Sequence, residues 1–203
     1  MSCRIEQSVI DQTIAFHGHS CPGLAIGIRA AEMAEDRMGK INQNALVCVS
    51  ETDMCGVDAI QFLTGCTVGK GNLILRDYGK MAFSFYNREN NTGIRLVFNQ
   101  HSRGAINQEV TDLMDRDNRG LLTALEQDRL KQLRQDILTN IMTLPLEEIF
   151  TAQPLTDRPP RGARVLESLE CADCKERTME SRTRRFAGKT LCIPCYHKVE
   201  QKR

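Results

Sequence analysis

Phe16-His-Gly-His-Ser-Cys-Pro-Gly23 runs directly into Leu24-Ala-Ile-Gly-Ile-Arg-Ala-Ala-Glu-Met33, and this junction decides how the chain is read. Leu24, Ile28, Ala31 and Met38 recur at helical spacing with charges between them, so a helix of about four turns is expected to stop at Gly39. Pro22 suits its first turn and Cys21 its cap. A thiol at that cap meets the positive end of the helix dipole, which favours thiolate, the form that binds metal or attacks electrophiles. With residues 17–21 extended, the period of two turns His17, His19 and Cys21 to one side, and Gly18 leaves room for close approach. Three metal-competent side chains then face one point. The plain alternative is a tight turn with one core histidine and one buried thiol.

Upstream, Ile5, Val9, Ile10 and Ile14 mark a first helix leading into the histidine segment. Downstream, Ala45-Leu-Val-Cys-Val-Ser50 reads as a short buried strand in which Cys48 is a small core hydrophobe. The stretch from Glu51 to Gly65 repeats the opening logic: a strand ends, a polar turn follows, and Cys55 stands before an apolar helix that Asp53 is placed to cap. Two cysteines at two helix N-termini are raw material for a shared site, with an N-cap aspartate and a buried thiol as the plain alternative. Gly65-Cys-Thr-Val-Gly-Lys-Gly71 is not a phosphate loop. It is one residue short, has Gly71 where the magnesium-binding hydroxyl belongs, and precedes a strand-like run. Cys66 is the better candidate there, as a third thiol, against a plain glycine-rich connection.

Leu73–Leu75, Met81–Tyr86 and Ile94–Phe98 read as an antiparallel meander, after which His101 is either an exposed turn residue or within reach of the cleft. From Ala105 to Phe150 the pattern is helical. Ile106, Val110, Leu113 and Met114 form one stripe, and Leu121, Leu122, Leu125, Leu130, Leu133, Ile137, Leu138 and Ile141 form another, broken before Pro145. Thr151–Gly162 holds three of the six prolines and reads as linker. The expected division is a core at 1–152, a linker at 153–164 and a small domain at 165–203.

In that last domain Cys171-x2-Cys174 and Cys192-x2-Cys195 are separated by 17 residues, the spacing of a four-thiolate zinc module. Asp173 and His197 are candidate substitute ligands. Such modules are usually structural, and with so few large apolar residues nearby the metal supplies much of the folding free energy. Arg182, Arg184, Arg185 and Lys189 offer either a basic surface or an ordinary solvated hairpin.

The 203 residues suffice for one ordinary core plus an appendage. No apolar run approaches the ~20 residues needed to span a bilayer and the N-terminus lacks an apolar leader, which places the expected location in the cytoplasm. Nine cysteines in that compartment point to metal or reactive thiols rather than disulfides. Net charge +1 conceals an asymmetry: residues 161–203 carry eleven Lys/Arg against six Asp/Glu, the remainder sixteen against twenty. Thiolates around a dication would cancel about two of the tail's positive charges, which weakens the case for nucleic acid.

Phe16–Gly23, Met54-Cys-Gly-Val-Asp-Ala-Ile-Gln61, Thr64-Gly-Cys-Thr-Val-Gly-Lys-Gly-Asn-Leu73 and Asp77-Tyr-Gly-Lys80 together resemble the E-subunit family of formylmethanofuran dehydrogenase (FmdE). The C-terminal module resembles the treble-clef finger that some members carry. The resemblance implies an α+β fold, thioredoxin-like with a mixed sheet flanked by helices. It also implies a cleft site for zinc or another transition metal, or a thiol site, at His17, His19, Cys21 and Cys55, with Cys66 as a further candidate. Association with molybdenum or tungsten redox-enzyme subunits of one-carbon metabolism follows from it too, with a homo-oligomer as a further arrangement. No catalytic step attaches to a named residue. The expected role is a metal-binding accessory protein; the alternatives are a Cys21/Cys55 dithiol in electron transfer, or an adaptor whose finger docks on nucleic acid or an acidic partner.

Overall fold

The computed structural model describes residues 3–104 and 107–199, which divide into two compact units, one ending at Gly162 and one beginning at Ala163. The first unit is ordered α1 (Gln7–His17), α2 (Pro22–Met38), β1 (Leu46–Ser50), α3 (Gly56–Thr64), β2 (Leu73–Leu75), β3 (Ala82–Asn87) and β4 (Thr92–Phe98). A 3-10 turn (Gln100–Arg103), α4 (Asn107–Asn118), α5 (Ala124–Thr143), α6 (Leu146–Ile149) and β5 (Phe150–Leu155) complete it. The five strands form a mixed sheet in the order β2-β1-β3-β4-β5.

α2 is the central helix. Every residue from Leu24 to Ala34 is buried, because its apolar side lies on the sheet and its other flanks are covered by α3 and α5. Ile26, Ala30 and Met33 share one core with Phe83 and Phe85 of β3, Leu96 and Phe98 of β4, and Leu130, Leu133, Ile137 and Ile141 of α5. Even Arg29 is buried there, paired with Glu32 at 2.9 Å and donating from Nη2 to the Leu144 carbonyl at 2.6 Å; a guanidinium out of water requires such partners. α5 begins in a capping box, with Thr123 and Glu126 exchanging bonds, and ends before Pro145.

Three readings of the sequence are corrected. Leu73–Leu75 does not join a meander: β2 pairs parallel to β1, so β1-α3-β2 is a crossover unit, and only β3-β4-β5 run antiparallel to their neighbours. Residues 151–155, assigned to the linker for their proline, belong to edge strand β5, where Pro154 faces Ile94; an edge tolerates a residue that cannot donate to the ladder. In the helical hairpin Leu121 falls in the turn between α4 and α5, and Met114, Leu121 and Leu125 are exposed, Leu125 by 81%. The stripes that do reach the core are Val110 and Leu113, then Leu130, Leu133, Ile137 and Ile141, with Leu122 and Leu138 partly buried against it. Ala105 and Ile106 lie outside the described residues.

The second unit holds two hairpins, β6 (Ser168–Glu170) with β7 (Arg177–Met179) and β8 (Thr183–Phe186) with β9 (Lys189–Cys192), followed by the single turn α7 (Ile193–Tyr196). Its buried cluster is Cys171, Leu191, Cys192 and Cys195, with Phe186, Tyr196 and Val199 against it. One buried leucine among three thiols is too little apolar surface to hold a fold, so this unit depends on its sulfurs. No helix of the described residues is long and apolar enough to cross a membrane.

Candidate metal centres

Gly27 sets the geometry of the core site. A Cβ built on it would lie 2.2 Å from the Gly56 carbonyl oxygen and 2.6 Å from the Gly56 Cα, so α2 and α3 touch backbone to backbone at this point. One turn earlier, a Cβ on Gly23 would meet Cys55 Cβ at 3.2 Å, Cys55 Sγ at 3.7 Å and Cys21 Sγ at 3.8 Å. Glycine at 23, 27 and 56 therefore draws two helix N-termini together, with a cysteine at each.

Cys21 is the N-cap of α2, and its sulfur accepts from the Leu24 N–H at 3.3 Å, as its position before Pro22 predicts. Cys55 occupies the N-cap position of α3 without making a side-chain cap bond, so the cap assigned to Asp53 does not form. Burial, and then the charge of Cys21 beside it, push the Cys55 thiol above its ordinary range. A cation bound between the two sulfurs would act in the opposite direction and favour the thiolate forms.

Residues 17–21 are not an extended run. His17 is the last residue of α1, and Gly18 follows in the left-handed conformation (φ 93°) as the helix C-cap, with open space around it; its use is conformational, not close approach. His17, His19, Cys21 and Cys55 nevertheless bring one ligand atom each within 4.8 Å of one another. The His17 ring is 10% exposed; its Nδ1 lies 2.7 Å from Asp58 Oδ2 and its Nε2 3.9 Å from Cys21 Sγ. Bound to one tetrahedral zinc, a sulfur and an imidazole nitrogen sit about 3.6 Å apart, so this donor set fits such an ion. Asp58 is the residue that sequence reasoning missed. Its signal was the helical period: three residues after Cys55, it stands on the adjoining face of α3's first turn.

Cys66 does not join this group. It is fully buried near Cys48, its S–H donating to the Leu46 carbonyl at 3.7 Å, and burial raises both thiols. His101 is exposed in the turn after β4 and is likewise outside the group.

In the second unit the sulfurs of Cys171, Cys174, Cys192 and Cys195 converge within 4.8 Å, and Cys174 and Cys192 are 3.8 Å apart. That equals the edge, about 3.8 Å, of a tetrahedron with zinc–sulfur bonds. The Cys192 N–H donates to Cys171 Sγ at 3.3 Å and, with further backbone N–H groups, pulls its thiol down to about 6. Asp173, a candidate substitute ligand, is not one of the four; its carboxylate bears on Cys195 and drives that thiol upward. His197 follows α7, its ring beside Tyr196. Arg184 and Arg185 point to alternate sides of β8 and donate to their own hairpin's carbonyls at Thr183 and Gly188.

A probable S-adenosyl-L-methionine-binding protein of Archaeoglobus fulgidus is 30% identical over 192 residues, which cover 89% of this chain and 50% of that protein, so the chain spans half the length of this relative. The crystal structure of a tungsten formylmethanofuran dehydrogenase FmdE-like protein from Syntrophus aciditrophicus superposes with a TM-score of 0.63 at 22% identity, covering 94% of this chain and 91% of that one; the two share a fold. Residues 165–201 match the prokaryotic dksA/traR C4-type zinc finger, in agreement with the four converging thiols. Residues 16–151, more than half of the chain, match the family described as FmdE, Molybdenum formylmethanofuran dehydrogenase operon, and the protein therefore belongs to the FmdE family with a C4-type zinc finger at its C-terminal end.

Proposed function

We propose that the core unit binds a zinc-like transition metal through His17, Cys21 and Cys55 with His19, and that the protein serves as a metal-bearing accessory partner of a molybdenum or tungsten redox enzyme. The observation that carries the metal is the His17 ring, held at Nδ1 by Asp58 while Nε2 faces Cys21. A carboxylate on the far nitrogen of an imidazole is the usual outer partner of a metal-bound histidine. The enzyme-partner half rests on the operon association of the family. Such a site polarises a carbonyl, activates water or passes a metal onward when one position is free.

The test is metal counting on the full chain. The wild type is expected to hold two metals and the Cys21→Ser/Cys55→Ser variant one; equal stoichiometry would sink the core site. For the partner, a tagged chain expressed at native level in its host should co-isolate molybdenum or tungsten in the eluate, and an eluate without either removes that role. The proximity of Cys21 and Cys55 also favours a second reading, a dithiol that cycles with a two-electron acceptor. It requires the metal-free core to lose two titratable thiols on mild oxidation.

A further inference from the structure

The two histidines of the core cluster are not equivalent. His17 is nearly enclosed and fixed from behind. Asp58 Oδ2 takes its Nδ1 at 2.7 Å, and the other carboxylate oxygen accepts from Gln61 Nε2 at 3.2 Å. Asp58 and Gln61 sit three residues apart on α3, so the helix itself holds carboxylate and amide in register. With Nδ1 committed to Asp58, only Nε2 is free to bind metal, and it already points at Cys21. His19 differs in each respect. It lies on the short bridge between α1 and α2, is exposed, and makes no hydrogen bond or ion pair among the described residues; its neighbour is the His17 ring, 4.5 Å away between centroids.

Resting on the metal reading above, we infer that His17 is the permanent histidine ligand, positioned through Asp58 and Gln61, and that His19 is the displaceable one, so the incoming ligand enters the metal at the position His19 vacates. Exchange there is ligand substitution with no change in oxidation state: the metal–Nε2 or –Nδ1 bond to His19 breaks as a bond to the new donor forms, and the imidazole leaves into water. The replacement must match a neutral imidazole on a borderline-soft ion already carrying two thiolates. That selects molecules presenting an unprotonated nitrogen or a thiolate.

The experiment uses the full chain loaded with Co²⁺, with the spectrum of the Cys21→Ser/Cys55→Ser chain subtracted so that only the core metal is seen. His19→Ala should keep the core cobalt with less than a tenfold loss of affinity and should show a saturable shift of the visible bands on addition of imidazole. His17→Ala should lose affinity by more than a hundredfold. Asp58→Asn, which preserves shape, should lose about 10–100-fold, with Asp58→Glu recovering part of it. Added imidazole should not restore the Asp58→Asn site, because the missing group is behind the ring and not on the metal. Equal losses in the two histidine variants, a larger loss in His19→Ala, or a His19→Ala spectrum indifferent to imidazole would overturn the assignment. A wild-type chain carrying only the finger metal would instead refute the core site itself, and the inference with it.

Discussion

Gly27→Ala places a methyl carbon 2.2 Å from the Gly56 carbonyl oxygen, 2.6 Å from its Cα and 2.8 Å from its carbonyl carbon. Relaxed contacts of this kind are about 3.3 Å or more, so α2 and α3 must separate by about 1 Å. Neither side of the contact is a side chain that could turn away. Overpacking a core ordinarily costs about 1–3 kcal/mol, and a backbone-to-backbone clash belongs at the upper end. At about 3 kcal/mol the core's thermal midpoint should fall by roughly 6–12 °C. The second consequence is chemical. Cys55 stands immediately before Gly56, and Gly23, beside both sulfurs, is one turn from Gly27, so the separation is delivered to the Cys21–Cys55 gap. Metal–ligand distances tolerate about 0.2 Å, and a shift several times larger releases the ion. Thermal unfolding together with metal counting checks both effects, with the finger metal as internal reference: two metals per chain should become one. Gly69→Ala, whose methyl would meet nothing within 4 Å, is the control. A Gly27→Ala chain with an unchanged midpoint and two metals would refute the reasoning.

Cys192→Ser should unfold the second unit while sparing the first, because zinc contributes on the order of 10–16 kcal/mol in such modules and Leu191 is, among the described residues, the one buried aliphatic residue beside the thiols; amide hydrogen exchange confined to residues 165–199 is the readout, and a protected finger without metal contradicts it. Cys66→Ala should leave the core metal in place and cost about 1 kcal/mol, measured by urea unfolding with elemental analysis, since its thiol meets the Leu46 carbonyl and not the cluster. Glu51 is bound by Arg95 through Oε1 at 2.6 Å and Oε2 at 2.8 Å, which holds its carboxyl below the ordinary 4.5. A depressed folded-state value stabilises the protein fully above the ordinary value and ceases to as pH falls through the depressed one. Glu51→Gln should therefore cost about 2 kcal/mol at neutral pH and flatten the acid limb of the stability profile; parallel acid limbs for variant and wild type would disprove it.

Much of the candidate site was legible because its parts carry local signals. Cys21 precedes Pro22 and an apolar run, Cys55 precedes another, and Gly39 ends α2 as its position predicts. The finger was clearer still, since paired Cys-x2-Cys turns leave few alternatives. What stayed hidden depends on contacts between elements. A three-residue strand cannot encode whether its neighbour runs parallel, and β2 takes its direction from the α3 crossover. Pro154 reads as linker until Ile94 is found opposite it. The stripe of α4 and α5 overcounts because Leu121 and Leu125 lie at the hairpin tip, beyond the reach of the sheet. Asp58 carried no motif of its own. Only the arrival of α1's last turn beside α3 gives it His17 as partner.

The electrostatics of the core cluster follow from which helix ends meet there. Cys21 and Cys55 stand at the starts of α2 and α3, the partly positive ends of those helices, while His17 closes α1 at its partly negative end. With a dication bound as proposed, two thiolates and two neutral imidazoles would sum to zero. The finger's four thiolates leave −2, which Cys171 offsets in part by accepting backbone N–H groups. A neutral, partly exposed centre suits exchange of a ligand, and a charged, sulfur-enclosed one suits permanence. The same helix ends set the order of dependence within the core. With both thiolates removed, two positive helix termini face the cation and repel it, and the histidines alone cannot hold it. The double-serine chain should therefore lose the core metal completely although His17 and Asp58 remain in place.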